Sequence, residues 1–180
     1  MLKTSTPSIF GYALCAALAL GTHTAMAQAV PIVNAGFEES IKSWETSQHA
    51  GEIAYEFAFD STTAPEGKRS YRVTRTKRQV YGSVNQRVSV PGPGKYQLSA
   101  LLRTKEVTGR GWALYATAYA NNGIIDIYRS EPLTGTQDWG RVTLSFDAPE
   151  GTSSMVIGAS LRGDGTGWLD DVKLERIKTP

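Results

Sequence analysis

The polar and apolar positions of this chain alternate almost from end to end. Val142, Leu144 and Phe146 interleave with Arg141, Thr143, Ser145 and Asp147. Tyr96, Leu98, Ala100 and Leu102 do the same with Gln97, Ser99, Leu101 and Arg103, as do residues 53–59, 84–90 and 155–161. A period of two sends one set to a buried face and the other to solvent, the signature of a half-buried strand. Turn formers separate the runs: Pro91-Gly92-Pro93-Gly94, Asn121-Asn122-Gly123, Pro149-Glu150-Gly151 and Gly163-Asp164-Gly165. No window long enough for a helix keeps a 3.6-residue period between caps. The pattern predicts about nine or ten short antiparallel strands, hence an all-β sandwich or barrel with no βαβ unit.

One stretch breaks the simple reading. Between Gly165 and Glu175, Trp168, Asp170, Val172 and Leu174 share a face by parity. If that apolar face packs inward, Asp170 is carried toward the core. A buried carboxylate needs a cation or a set of hydrogen bonds to offset its lost hydration. A metal would meet that need, and so would backbone amides at the strand mouth.

The first 27 residues read as an export leader. Lys3 begins it, an apolar run spans residues 9–20, and Ala25-Met26-Ala27 forms a small-x-small cleavage site. That run is short for a membrane span, which needs roughly 20 residues. Residues 28–180 are then one domain with no cysteine, because Cys15 lies in the leader. The expected location is secreted or periplasmic, with no membrane span in the mature chain. A domain without disulfides must find its stability in packing or in a bound metal.

Asn34-Ala35-Gly36-Phe37-Glu38 followed by Trp44 resembles the opening of carbohydrate-binding modules of the family 4, 9 and 22 type. Residues 67–73, 94–100, Trp139 with Phe146, and 168–174 resemble the later motifs of those modules, in the same order. The resemblance spans most of residues 28–180. It implies an antiparallel jelly-roll β-sandwich, a monomer that binds polysaccharide or oligosaccharide, and a structural calcium ion. Carried over by position, Glu38 and Asp170 would supply carboxylate oxygens, and carbonyls near Gly36 and Arg69 the remainder. Calcium takes about six to eight oxygens and accepts such a mixture.

Other chemistries find little support. Residues 28–180 hold a single histidine, His49, and no cysteine, which removes Cys-His catalysis, and no motif supports a Ser-His-Asp triad. Zinc spacing and Gly-rich phosphate loops are absent. The acids sit mostly in turns and at strand ends, which does not suit a facing pair of glycosidase carboxylates. A polysaccharide lyase, needing a Tyr or His base beside Arg or Lys, stays open as the enzymatic alternative. An interaction or surface-assembly domain without a sugar ligand is the other.

Sugar binding uses aromatic faces flanked by hydrogen-bonding groups. In the run 112–120, Trp112, Leu114, Ala116 and Ala118 form one face and Tyr115, Thr117 and Tyr119 the other. With the first set in the core, Tyr115 and Tyr119 are the platform; with parity inverted, Trp112 is. Tyr81, Tyr128 and Asp126 are secondary candidates. Charge adds a further expectation. From Lys68 to Arg110 there are eleven basic residues and one acid, Glu106. Arg72, Arg87 and Arg103 have the polar parity of their strands and predict one basic surface for an anionic glycan, unless they pair with flanking acids. Nucleic acid would suit the charge but not an exported protein.

Overall fold

A computed structural model describes residues 27–178, and all of its regular elements are strands. They are β1 (Ala27–Val30), β2 (Glu45–Gln48), β3 (Tyr55–Asp60), β4 (Ser70–Arg75) and β5 (Gly82–Ser89). These are followed by β6 (Gly94–Ala120), β7 (Gly123–Arg129), β8 (Leu133–Ala148), β9 (Ser154–Leu161) and β10 (Thr166–Ile177). The proposed leader lies outside the described residues except for Ala27, which opens β1. Every pairing is antiparallel. The fold is an all-β sandwich of antiparallel jelly-roll type.

Alternation becomes layering as the sequence predicts. In β8, Leu144, Phe146 and Ala148 are buried while Thr143, Ser145 and Asp147 are exposed. One layer runs β8-β6-β10-β4-β3, with β1 along the far part of β10; the other runs β2-β5-β9-β6-β7. Leu98, Leu102, Leu169 and Leu174 of the first layer share one core with Leu114, Ile157, Ala159 and Leu161 of the second. Leucine-sized side chains buried in this way each contribute about 1.5–3 kcal/mol.

The expectation of uniformly short strands fails at β6, which runs for 27 residues and belongs to both layers. Its first part pairs with β10 and its last part with β9. Between them the strand bends instead of ending. Glu106, Gly109 and Gly111 have positive φ, and the register against β8 shifts three times between Leu102 and Trp112. Bulges of this kind absorb a bend without breaking the ladder.

A bulge also corrects the parity of β10. The register against β6 shifts between Asp170 and Lys173, and Asp171 has φ 44°. Trp168 and Asp170 therefore point away from the core, opposite Leu169, while Val172 and Leu174 return to it. Asp170 is nevertheless fully buried. The turn at residues 34–38 covers it: a Cβ placed on Gly36 would stand 3.6 Å from its Oδ1, and the Val172 amide donates to Ala35 O at 3.1 Å. Phe37 anchors that turn against Trp44 and Tyr71, with ring centroids at 4.7 and 5.4 Å.

Candidate functional site

The outward face of the second layer is built from small and polar residues. One row across the strands reads Glu45, Asn85, Gly158, Tyr115, Arg129, and the next reads Ser47, Ser83, Ser160, Ala113. Gly158 is required by packing, since a Cβ there would lie 2.0 Å from Val84 O. A cleft of about 320 Å³ opens on this face, lined by Tyr115, Tyr81, Val80, Ser47, Ser83 and Ser160, with Thr117, Arg129 and Arg162. That lies within the usual range for small-ligand sites, about 300–1,000 Å³.

Polar groups converge on this cleft. Ser47 and Ser83 share a hydroxyl hydrogen bond of 2.8 Å. Ser160 Oγ is buried with no partner among the described residues. Burial pushes the Tyr115 phenol up to about 12, with the Ser83 side chain pulling it partly back. The hydroxyl is thus a hydrogen-bond donor at neutral pH and a poor base.

Of the primary candidates expected at the site, Tyr115 alone lines the cleft. Trp112 cannot be a platform: it is fully buried in the core and donates from Nε1 to Trp168 O at 3.0 Å. Tyr119 shares the outward parity, but the Arg87 guanidinium lies 4.0 Å from its ring centroid and occupies that face. Arg87 also donates to Ser154 Oγ at 3.1 Å. The expected single surface of Arg72, Arg87 and Arg103 does not form, because Arg87 is on the second layer and the other two are on the first. Arg72 and Arg103 flank Trp168 and are paired, with Glu56 at 2.6 Å and Asp138 at 3.6 Å. Arg72→Ala and Arg103→Ala should therefore leave glycan affinity unchanged in isothermal titration. Tyr128 faces inward onto Phe146 at 4.5 Å, whereas Tyr81 does join the cleft.

At the other end of the molecule the Asp170 carboxylate tests the calcium expectation. Its Oδ1 accepts the Asp171 amide at 2.7 Å, and its buried Oδ2 has no hydrogen-bond partner. Burial pushes this carboxyl up to about 6, opposed by the Asp171 and Glu66 amides and reinforced by the charges of Asp171 and Glu38. Glu38 is held low chiefly by the Lys68 amide: its Oε1 accepts the Lys68 and Arg69 amides at 2.8 and 3.1 Å. No cluster of three or more His, Cys, Asp or Glu able to hold a metal occurs among the described residues. Carbonyl oxygens would have to complete any calcium shell. The orphaned Oδ2, on a carboxylate that the Gly36 turn covers and that feels the Glu38 charge, fits that kind of site. Asp171 faces away and pairs with Lys173 at 2.7 Å and with Arg141.

Several solved structures share this fold. The xylan-binding CBM22-1 domain of Paenibacillus barcinonensis Xyn10C matches 81% of this chain and 93% of its own, with TM-score 0.54 and 18% identity. TmCBM61, solved with β-1,4-galactotriose, matches 82% and 98%, with TM-score 0.56 and 20% identity. The fold is that of carbohydrate-binding modules. The Stig cyclase Fisc of Fischerella sp. TAU has the same fold, covering 86% of this chain and all of its own at TM-score 0.62 and 16% identity. In sequence, the chain is 25% identical over 147 residues to an uncharacterized HTH-type transcriptional regulator, YbfP, of Bacillus subtilis (strain 168). That match takes in 78% of this chain and half of the regulator's length. No family model matches the sequence.

Three buried phenols give a measurable consequence. Tyr71, Tyr115 and Tyr128 are each pushed up to about 12, in every case first by burial. Their protons are held in the folded state and lost near pH 10 in the unfolded chain. The stability they contribute is complete below pH about 10 and lost as pH rises toward 12. The melting temperature should fall steeply above pH about 10, with phenolate absorbance appearing in step with unfolding. Full phenolate absorbance at pH about 10.5 in a folded protein would contradict this.

Proposed function

We propose that this protein is a non-catalytic, extracytoplasmic carbohydrate-binding protein. Its sugar site is the cleft over Tyr115, and one calcium ion joins the 34–38 turn to β10. The observation behind the reading is an aromatic ring beside serine and threonine hydroxyls in a sugar-sized cleft. Such a ring meets the apolar face of a pyranose while the hydroxyls meet its edges. Arg129 and Arg162 at the cleft favour an acidic glycan over a neutral one. Glycan-array screening of the full chain tests the reading: binding should appear on oligosaccharides and fall about tenfold or more with Tyr115→Ala. Undiminished signal in a folded Tyr115→Ala protein would overturn the site.

A lyase would need a phenol poised to ionise, and burial moves Tyr115 the other way. Incubation with uronate polymers should release no ultraviolet-absorbing unsaturated sugar. One feature favours assembly as a second reading. On β7, Ile124, Ile125 and Ile127 are 57%, 37% and 45% exposed at a strand that pairs only with β6. Sedimentation of wild type against Ile124→Lys/Ile127→Lys would reveal a complex formed through that edge.

A further inference from the structure

The cleft does not end at Arg162. A second groove, of about 710 Å³, shares Val80 and Arg162 with it and continues past Arg78 and Arg110 to the turn at Gly163 and Asp164. Its charge is one-sided. Asp164, the carboxylate lining it, is already paired with Arg75 at 2.6 Å. Arg78, Arg110 and Arg162 make no ion pair among the described residues, and neither does Arg129 of the first cleft.

The backbone joins the segments that carry two of these arginines, and both line the groove. The Arg110 amide donates to Arg162 O at 2.9 Å, and the Arg162 amide donates to Gly111 O at 2.9 Å. Burial lowers the Arg162 pKa, and the charges of Arg129 and Arg110 add to the effect. Like charges held together by the backbone are relieved by an anion in their midst. Arginine meets an oxyanion with two parallel donors, so carboxylates and sulfates suit the cluster.

We propose that this second groove is an acidic-sugar subsite, in which Arg162, Arg110 and Arg78 bind the carboxylate or sulfate of a sugar neighbouring the one over Tyr115. This rests on the reading of the Tyr115 cleft as a glycan site. The ligand class is then an oligosaccharide of at least two units with an anionic substituent off the stacked ring. Arg75 is held back from it by Asp164. The subsite discriminates between chains that share the same stacked ring and differ in the charge of the next.

Isothermal titration of the full chain with three tetrasaccharides tests this: neutral galactotetraose, tetragalacturonate and a heparin-derived tetrasaccharide. A short oligothymidylate serves as a polyanion without sugar acids. Wild type should bind at least one acidic probe about tenfold or more tighter than the neutral one, the margin of one charge-assisted hydrogen-bonded pair. The margin should shrink as salt rises from about 0.05 to 0.5 M. Arg78→Gln/Arg110→Gln, both exposed positions, should lose the margin and keep the affinity for galactotetraose. Whichever acidic arm wins identifies carboxylate or sulfate. Equal affinity of wild type for neutral and acidic probes overturns the subsite alone. So does a margin that survives in the double variant, or oligothymidylate binding as tight as the better acidic probe. Failure of every oligosaccharide to bind overturns the cleft reading and the subsite together.

Discussion

Protein stripped of calcium by excess chelator is expected to melt about 5–10 °C below the calcium-loaded form. An ion bound only by the folded state stabilises it by about 2.7 kcal/mol at 100 times its Kd, and each kcal/mol moves a domain of this size by about 2–4 °C. The expectation rests on Asp170, whose buried Oδ2 has no hydrogen-bond partner among the described residues and whose Oδ1 lies under the Gly36 turn. Without a cation, ionising this carboxyl in the folded protein is disfavoured, since burial holds it at about 6 instead of 3.8. Asp170→Asn separates the causes. It keeps an acceptor for the Asp171 amide and removes the buried charge. The variant should melt above chelated wild type and respond to neither calcium nor chelator. A melting curve that chelation leaves unmoved, with metal removal confirmed by elemental analysis, would dispose of the ion.

Loss of the Tyr115 ring should have the second large effect. Tyr115→Ala is expected to weaken oligosaccharide binding by about tenfold or more, the scale of one aromatic contact of about 1.5 kcal/mol. Tyr115→Phe should lose less, because it keeps the ring and gives up only the hydroxyl. Tyr119→Ala should change little, since Arg87 already covers that ring. Isothermal titration with thermal melts on the same samples reads both affinity and folding. Equal losses in Tyr115→Ala and Tyr119→Ala would show that the sugar lies across the β6 face and not in the cleft.

Most of the fold was legible in the residues, because burial on one face imposes a period of two on strands such as β8. Parity in 112–120 placed Trp112, Leu114, Ala116 and Ala118 in the core and Tyr115 outside it. Parity failed where the backbone adds a residue. At Asp171 a bulge reverses the faces, and nothing in Trp168-Leu169-Asp170-Asp171-Val172 announces it. Asp170 is buried for a different reason than the alternation suggests: a turn from the far end of the chain lies over it. The arginines were misread because sequence order says which strand a charge occupies but not which layer. Arg103 and Arg110 lie seven positions apart on β6, yet the bend sends one to Trp168 and Asp138 and the other to the groove beside Arg162. The floor of the cleft carried a weak signal. Ser83, Asn85, Gly158 and Ser160 are small or polar at outward parity, where a surface without a ligand has no need to stay flat.

The place of β10 has a kinetic consequence. It is made after every other described strand, yet it sits between β6 and β4 in the interior of its layer. Until residues 166–177 emerge, β6 and β4 have no common neighbour and the turn at 34–38 has no Asp170 to close upon. Cotranslational folding of this layer is therefore blocked by its strand order. A layer assembled from such distant segments also forms slowly, in the range of milliseconds to seconds typical of non-local β topologies. A nascent chain whose layer waits for β10 stays open and threadable until residues 166–177 arrive.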